Sequence, residues 1–506
     1  MNTTNRKTYR IITFGCQMNE HDSEVISGML SQRGYMEMPE AAPQARAGAD
    51  GMSRAGVDGM ADPDIMIINT CSIRDNADQR FFGTLGQLKK IKARKPDFVV
   101  CVCGCMMQQE HITTRIRRSY PWVDVIFGTH NIHEFPDMLE ELYENRAKAD
   151  NAKAAEAQTD SQNQDAKAAA TQAGSYARAK HEIRSSKDTR VDRVYDDADE
   201  IVEGLPAKRL YRHKSFVNIM FGCNNFCSYC IVPYTRGREK SRCPEDIISE
   251  VRNLVADGVK EVTLLGQNVN SYRGVDREDR QWDFTDLIYA LNDIDGLERI
   301  RFMTSHPKDL SDRLIEAFAK CEKLCNYIHL PVQAGSSEVL KRMNRRYTRE
   351  KYLELVRKLR EAVPDIAIST DIIVGFPGET EEDFAQTLEL AEEVRYDSAF
   401  TFLYSPRPGT PAAEYEDQIP EHVKHERFNR LVETMNRISA EKNAAYVGRV
   451  CRVLVDGPDK KASGMLNGRT EEFKLVDFEG PEEITGQTVD VEITGSNTFS
   501  LRGKLL

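Results

Sequence analysis

Residues 222–230 read GCNNFCSYC and directly follow the apolar run SFVNIMF at 215–221. Cys223, Cys227 and Cys230 are spaced x3 then x2 on one short loop, with no fourth cysteine in the pattern. Three thiolates so placed can hold three irons of a cubane cluster. The remaining iron, having no protein ligand, can accept an exogenous chelate. The competing reading is a structural zinc loop, which normally closes with four ligands. The x3–x2 spacing, rather than paired CxxC units, favours iron and sulfur.

Outward from this loop, about 209–440, apolar strand candidates alternate with helical patterns. The strands are SFVNIMF, EVTLLG, RIRFMT, YIHLPV, IAISTDIIVGF and SAFTFLY. One intervening helix is PEDIISEVRNLVADG, with Pro244 near its start, Gly258 at its end, and Ile247, Val251, Leu254 and Val255 on one face. Six βα units in a row predict a parallel sheet closed as a barrel or a partial barrel. His306 and His329, near strand ends, read as structural histidines. VGFPGET, with Gly375 and Gly378, has no following GK[ST] and is not a phosphate loop.

Upstream lie three more strand-like runs, each ending in cysteine: YRIITFGC at Cys16, DIMIINTC at Cys71 and DFVVCVCGC at Cys105. In an open α/β sheet, ligands gather beyond the carboxyl ends of strands, so these three thiols can meet at one site. Buried cysteines also serve as plain core residues, which is the reading for Cys101 and Cys103 inside the third run. Two segments look inserted. Residues 39–62 read as a long loop and 147–200 as a polar, Ala-rich linker; neither buries enough apolar surface to offset its ordering entropy. From about 444 to 506, short partly alternating β patterns split by Gly and Asn predict a small all-β barrel of the oligonucleotide-binding sort.

The bulk numbers agree with a multidomain soluble chain. There are 506 residues, 40% hydrophobic and 29% charged, which implies two to four domains. The start, MNTTNRKTYRI, has no signal-like apolar stretch, and no run of about 18 apolar residues occurs, so a cytoplasmic location without membrane contact is expected. Twelve cysteines in that compartment point to metal or redox chemistry. The net charge is −11, yet 206–243 carries eight Lys or Arg against one acid. A local basic face of that kind can bind phosphate, or can simply be solvated.

The stretch GCNNFCSYCIVPYTRGREKSR resembles the methylthiotransferase family of radical S-adenosylmethionine (SAM) enzymes. So do CQMNEHDS, NTCSIR, GCMMQ, LLGQNVNSY, HLPVQAGS, STDIIVGFPGET and YSPRPGTPA. The resemblance covers nearly all of the chain apart from the two inserts, of which 39–62 separates Cys16 and Cys71 more widely than is usual. It implies an α/β protein with an N-terminal open α/β domain at 7–146, a flexible or disordered linker at 147–205, a partial (β/α)6 radical SAM barrel at 206–442 and a C-terminal TRAM barrel at 443–506. It implies two [4Fe-4S] clusters, one on Cys16, Cys71 and Cys105 and one on Cys223, Cys227 and Cys230. SAM would bind in the barrel mouth, against Tyr229, Gln267, Asn268, Gln333, Asp371 and Gly375. For the strand-end polar groups, capping and loop hydrogen bonding are the competing role. Arg236, Arg238 and Arg242, with Arg469 in the last domain, are candidates for RNA phosphates.

Within the family, FGTHNIHEFP, IVPYTRGRE, MNRRYT and FTFLYSPRPGT look most like the members acting on N6-(dimethylallyl)adenosine. The implied reaction is methylthiolation of C2 of that base at position 37 of tRNA, with SAM as radical source and methyl donor. C2 has neither acidity nor a leaving group, so a cofactor must do the hard step. The implied partners are a tRNA anticodon stem-loop and an external one-electron donor of flavodoxin or ferredoxin type, with the protein a monomer. Two alternatives stand beside this: a sister methylthiotransferase acting on threonylcarbamoyladenosine or a ribosomal protein, and a zinc-stabilised RNA-binding protein.

Overall fold

The structure, a computed structural model, describes residues 6–38, 62–72, 75–165, 189–195, 201–459, 462 and 464–506. The loop expected at 39–62 lies outside these residues save for Asp62. The chain forms two compact units, 1–208 with 234–236, and 209–233 with 237–506.

The first unit is built on a six-stranded parallel sheet. Its strands are β1 (Thr8–Thr13), β2 (Met36–Glu37), β3 (Ile65–Thr70), β4 (Val99–Gly104), β5 (Val125–Phe127) and β6 (Val191–Arg193), in the order β2-β1-β3-β4-β5-β6. β3 and β4 are buried on both faces, which is why they read as unbroken apolar runs. Ile65, Ile67, Cys101 and Cys103 pack on one side with Ile26 and Leu139. Met66, Ile68, Val100 and Val102 pack on the other with Phe81, Leu85 and Leu88. Cys101 and Cys103 are thus core residues. Beneath the sheet Lys92 and Arg146 both reach Asp124, each at 2.7 Å, in a buried ion triad. Asp124 also accepts the Val100 amide at 2.8 Å, so the triad ties two helices to β4.

Two parts of the linker expected at 147–205 take regular structure. The helix Phe135–Asp165 runs on into it, in keeping with the helix propensity of its alanines. β6 pairs in parallel with β5, whose free edge offers unpaired backbone groups. The forked Arg117–Asp192 pair (2.6 and 2.9 Å) and Arg190, bonded to the carbonyls of Val123 and Tyr120, hold the strand there.

The second unit carries six parallel strands: β7 (Lys214–Asn218), β8 (Glu261–Leu265), β9 (Arg299–Phe302), β10 (Tyr327–His329), β11 (Ala367–Val374) and β12 (Ser398–Leu403). They form two three-stranded leaves, β9-β8-β7 and β10-β11-β12, joined by a bridge between Ile300 and Leu324. The expected barrel is therefore partial, with β7 and β12 as its edges. After it comes a closed five-stranded barrel of β13 (Val450–Pro458), β14 (Met465–Arg469), β15 (Leu475–Glu479), β16 (Thr488–Ser496) and β17 (Leu501–Leu505). Val453, Val455, Leu466, Val476, Phe478 and Val491 fill it.

On β9, Ile300 and Phe302 pack into the main core, while Arg299 and Arg301 lie on the opposite face. Arg299 donates to the carbonyls of Arg469 (2.8 Å) and Arg452 (3.0 Å). Arg301 pairs with buried Glu261 at 2.9 Å and donates to the carbonyls of Thr470 and Glu471. Phe473 of the small barrel stacks against Tyr327 of β10, with ring centroids 4.8 Å apart. Arg469, expected to meet RNA, is drawn into this seam. It lies over Phe473 and donates to that residue's carbonyl, because the cation is better satisfied by a π face and a carbonyl than by reaching outward.

Candidate metal centres

The first unit brings Cys16, Cys71 and Cys105 to the carboxyl ends of β1, β3 and β4. Two glycines make this possible. Gly15 has φ +145, and a Cβ on it would stand 2.7 Å from the Cys71 Cβ and 2.6 Å from the Asn19 side chain. Gly104 has φ +95, and a Cβ there would be 2.3 Å from the Thr70 carbonyl. Asn19 then ties the strand ends together, donating to Asn69 (3.1 Å) and to the Thr70 carbonyl (2.9 Å). Cys16 caps the N-terminus of the helix Gln17–Gln32. A hydrogen bond with Cys71 draws its thiol down to about 6, against burial and with help from Arg236. Burial pushes Cys105 up, and Arg236 opposes that.

Arg236 sits inside this site. It is 7% exposed, its Nε donates to Cys105 Sγ at 3.0 Å, and its Nη2 pairs with Asp22 at 3.2 Å. Burial works against its charge, but Cys105, Asp22 and Cys16 outweigh that and raise its pKa. The expectation that Arg236 meets an RNA phosphate does not fit, since its charge is spent on a thiol and a carboxylate away from solvent.

In the second unit, Cys223, Cys227 and Cys230 lie on the loop after β7. Gly222 (φ +75) turns the chain where a Cβ would stand 2.0 Å from the Arg238 carbonyl. Phe226 takes the left-handed φ of 48, which non-glycine residues rarely adopt. Residues 342–347 clamp the loop. Ser228 donates its Oγ to the Arg342 carbonyl at 2.9 Å, and Asn344 donates to the carbonyls of Asn225 and Phe226 at 3.2 and 2.8 Å. Burial pushes Cys223 up to about 11 and Cys230 to about 12. Arg345, buried, reaches Cys227 Sγ at 3.4 Å and the Tyr229 hydroxyl at 3.4 Å, while it also donates to the Pro331 carbonyl. Tyr229 thus has its hydroxyl toward Arg345 and its ring against the barrel core.

Among the described residues, no three His, Cys, Asp or Glu side chains converge on a point that would hold one metal ion. Each trio instead presents three soft sulfur donors, from neighbouring strand ends in one case and from one loop in the other, with a guanidinium on one sulfur of each. That donor chemistry fits an iron–sulfur cluster.

The barrel mouth holds further polar groups. Asn218 Oδ1, Asn268 Oδ1, His306 Nε2 and Gln333 Oε1 are buried and have no hydrogen-bond partner among the described residues. Leaving such atoms unsatisfied costs free energy, so they mark where a polar ligand belongs. Burial keeps the His306 imidazole neutral. Gln333 holds φ +71 and its amide donates to the Asp371 carbonyl. Asp371 is half-buried, 3.5 Å from His329 Nε2. Asn268 is fixed by its Nδ2 on Asp309 at 2.7 Å, and Gln267 is half-buried beside it.

Two further sequence expectations change here. The space beside Gly375 is filled by the Lys424 stem, 2.2 Å from where a Cβ would lie, and its amide donates to Glu379. The glycine therefore serves a tight turn with φ +75 and not an open approach to a cofactor. Arg242 is buried on the Asn218 carbonyl (2.5 Å) and on Glu250 (2.7 Å), so like Arg236 it is not offered to RNA. Arg238 alone of the three is exposed, its guanidinium over the Phe226 ring at 4.5 Å. Arg236 and Arg345 as thiol partners were not legible in the sequence. Arg236 at least follows the cysteine loop closely in sequence, whereas Arg345, in MNRRYT, is far from any cysteine motif.

Comparison with known proteins bears on the same residues. Residues 217–391 match the radical SAM superfamily, 8–48 and 48–128 the uncharacterized protein family UPF0004, and 444–506 the TRAM domain. A tRNA-2-methylthio-N(6)-dimethylallyladenosine synthase of Clostridium botulinum (strain Loch Maree / Type A3) is 49% identical over 98% of this chain and 96% of its own length. One of the same name from Clostridioides difficile (strain 630) is 49% identical over 100% of this chain and 92% of its own. Among solved structures, a radical S-adenosylmethionine methyltransferase from Kitasatospora setae aligns at 14% identity with a TM-score of 0.48, over 81% of this chain and 74% of that one.

Proposed function

This chain belongs to the tRNA-2-methylthio-N(6)-dimethylallyladenosine synthase family, and on that premise we propose that it methylthiolates C2 of N6-(dimethylallyl)adenosine at position 37 of tRNA. The observation that carries the reading is the gathering of Cys16, Cys71 and Cys105, from three separate strand ends, beside Arg236. That assembly gives the chain a second thiolate trio in addition to the local loop at 223–230. The ligands are Cys16, Cys71 and Cys105 for one [4Fe-4S] cluster and Cys223, Cys227 and Cys230 for the other.

When bound, the clusters and SAM supply one-electron cleavage of SAM, hydrogen abstraction from the base, and the sulfur and methyl that replace the hydrogen. The protein's part is to hold and orient. The clamp of Ser228 and Asn344 fixes the shape of the 223–230 loop. Asn218, Asn268 and Gln333 present buried acceptors in the barrel mouth to the donors of SAM. His306, kept neutral, neither adds charge there nor competes for protons. Arg238 supplies an exposed cation for tRNA phosphate. The substrate region is the anticodon stem-loop, electrons come from a flavodoxin- or ferredoxin-type donor, and the protein works as a cytoplasmic monomer. No helix among the described residues is long and apolar enough to cross a membrane.

The test is anaerobic reconstitution followed by incubation with SAM, reductant and prenylated tRNA. Mass spectrometry should find 5′-deoxyadenosine together with the 2-methylthio nucleoside. Prenylated tRNA left unchanged while a threonylcarbamoyl-tRNA or a ribosomal protein is methylthiolated would overturn the reading.

A further inference from the structure

Arg236 stands within a basic run, yet it is neither on the surface nor in an ordinary ion pair. Its partners are far apart in sequence: Cys105, 131 residues away, and Asp22, 214 residues away. One edge of the guanidinium faces a sulfur and the other a carboxylate, and all three groups are buried. Asp22 lies on the helix that Cys16 caps. A buried arginine is costly to desolvate. The fold accepts that cost at a thiol that also has two other thiols for neighbours, where three thiolates would otherwise repel.

We propose that Asp22 and Arg236 form an opposed charge pair that sets the reduction potential of the cluster held by Cys16, Cys71 and Cys105. Arg236 raises that potential and Asp22 restrains the rise. The inference rests on the cluster reading given above. The physical cause is direct. An added electron increases the negative charge shared between iron and the cysteine sulfurs. A guanidinium N–H on Cys105 Sγ stabilises that charge, and hydrogen bonds to sulfur and local net charge are principal determinants of such potentials. A carboxylate behind the guanidinium acts in the opposite sense, being farther from the sulfur and of opposite sign. Arg236 is therefore a positioning residue, acting through Cys105.

The two signs make the proposal testable apart from turnover. In full-length protein carrying Cys223→Ala, Cys227→Ala and Cys230→Ala, only the N-terminal cluster remains. Its midpoint potential is read by dithionite titration followed by electron paramagnetic resonance. Arg236→Gln should shift it negative, and Arg236→Lys, which keeps the charge without the planar fork, should shift it less. Asp22→Asn, which leaves the Arg236–Cys105 contact in place, should shift it positive. A purely structural role would not give shifts of opposite sign. An unchanged potential in both Arg236→Gln and Asp22→Asn, or a shift of the same sign in both, overturns the proposal. If Arg236→Gln fails to retain iron, the signs of Asp22→Asn and Arg236→Lys decide. Absence of iron and sulfide from the parent triple variant would instead overturn the cluster reading itself.

Discussion

The central thiols are presented by eight consecutive residues, 223–230, shaped by Gly222 and Phe226 and clamped from 342–347. The N-terminal thiols come from 90 residues of chain, 16–105, and meet only because a parallel sheet delivers three strand ends to one place. The first arrangement is local and survives as a sequence pattern. The second is a property of the fold, and each of its cysteines alone looks like a core residue. Both have a buried arginine on one sulfur, but the company of that arginine differs. Arg236 is countered by a carboxylate, whereas Arg345 is surrounded by the Tyr229 and Tyr347 hydroxyls and the Pro331 carbonyl. The positive charge is thus partly neutralised at one site and undiluted at the other.

The largest expected effect separates the two trios. Cys227→Ala should abolish both 5′-deoxyadenosine formation and the methylthio product. Cys71→Ala should abolish the product while SAM cleavage persists, as read by chromatography of the same reaction. Loss of SAM cleavage in both variants would break the comparison.

Next in size is the ion triad that only the N-terminal site depends on. Asp124→Ala leaves Lys92 and Arg146 buried without their carboxylate. It should destabilise the fold by about 3–5 kcal/mol, seen as a lowered Tm. Iron bound at 223–230 should be retained in a background lacking the N-terminal cysteines.

Gly222→Ala should cost about 1–3 kcal/mol, the usual size of a forced backbone strain. Its Cβ would meet the Arg238 carbonyl, and the readout is a loss of iron from the central site. Gly15→Ala should do the same at the N-terminal site, with the side chains of Asn19 and Cys71 in the way.

The smallest effect belongs to Arg238→Ala. As an exposed surface substitution it should change stability by less than about 0.5 kcal/mol. It should raise KM for tRNA severalfold and leave kcat unchanged, with a weaker salt dependence of binding.

How much of this was legible in the sequence follows from the same contrast. The cysteine loop, the six barrel strands and the all-β tail announce themselves through spacing and periodicity over short windows. The destination of a charged side chain does not. Arg236, Arg238 and Arg242 look alike in GREKSR and its neighbourhood, yet two are buried and one is exposed, because their partners lie on other elements. Asp124, Lys92 and Arg146 give no local sign of meeting, and Gly375 looks suited to a ligand until Lys424 is seen to occupy the space. Strand β6 was hidden for a related reason: three residues in a polar region carry no period, and only the free edge of β5 makes a strand of them.

The seam between β9 and the small barrel has a consequence for how the protein can be cut. Residues 470–473 cover the charged face of β9 and the adjoining β10, with Phe473 on Tyr327 and two backbone carbonyls on Arg301. Deleting 444–506 would strand Arg299 and Arg301 beside Glu261 with their other acceptors gone. The C-terminal barrel is thus a structural support for β9, and its excision should cost folding before it costs grip on RNA.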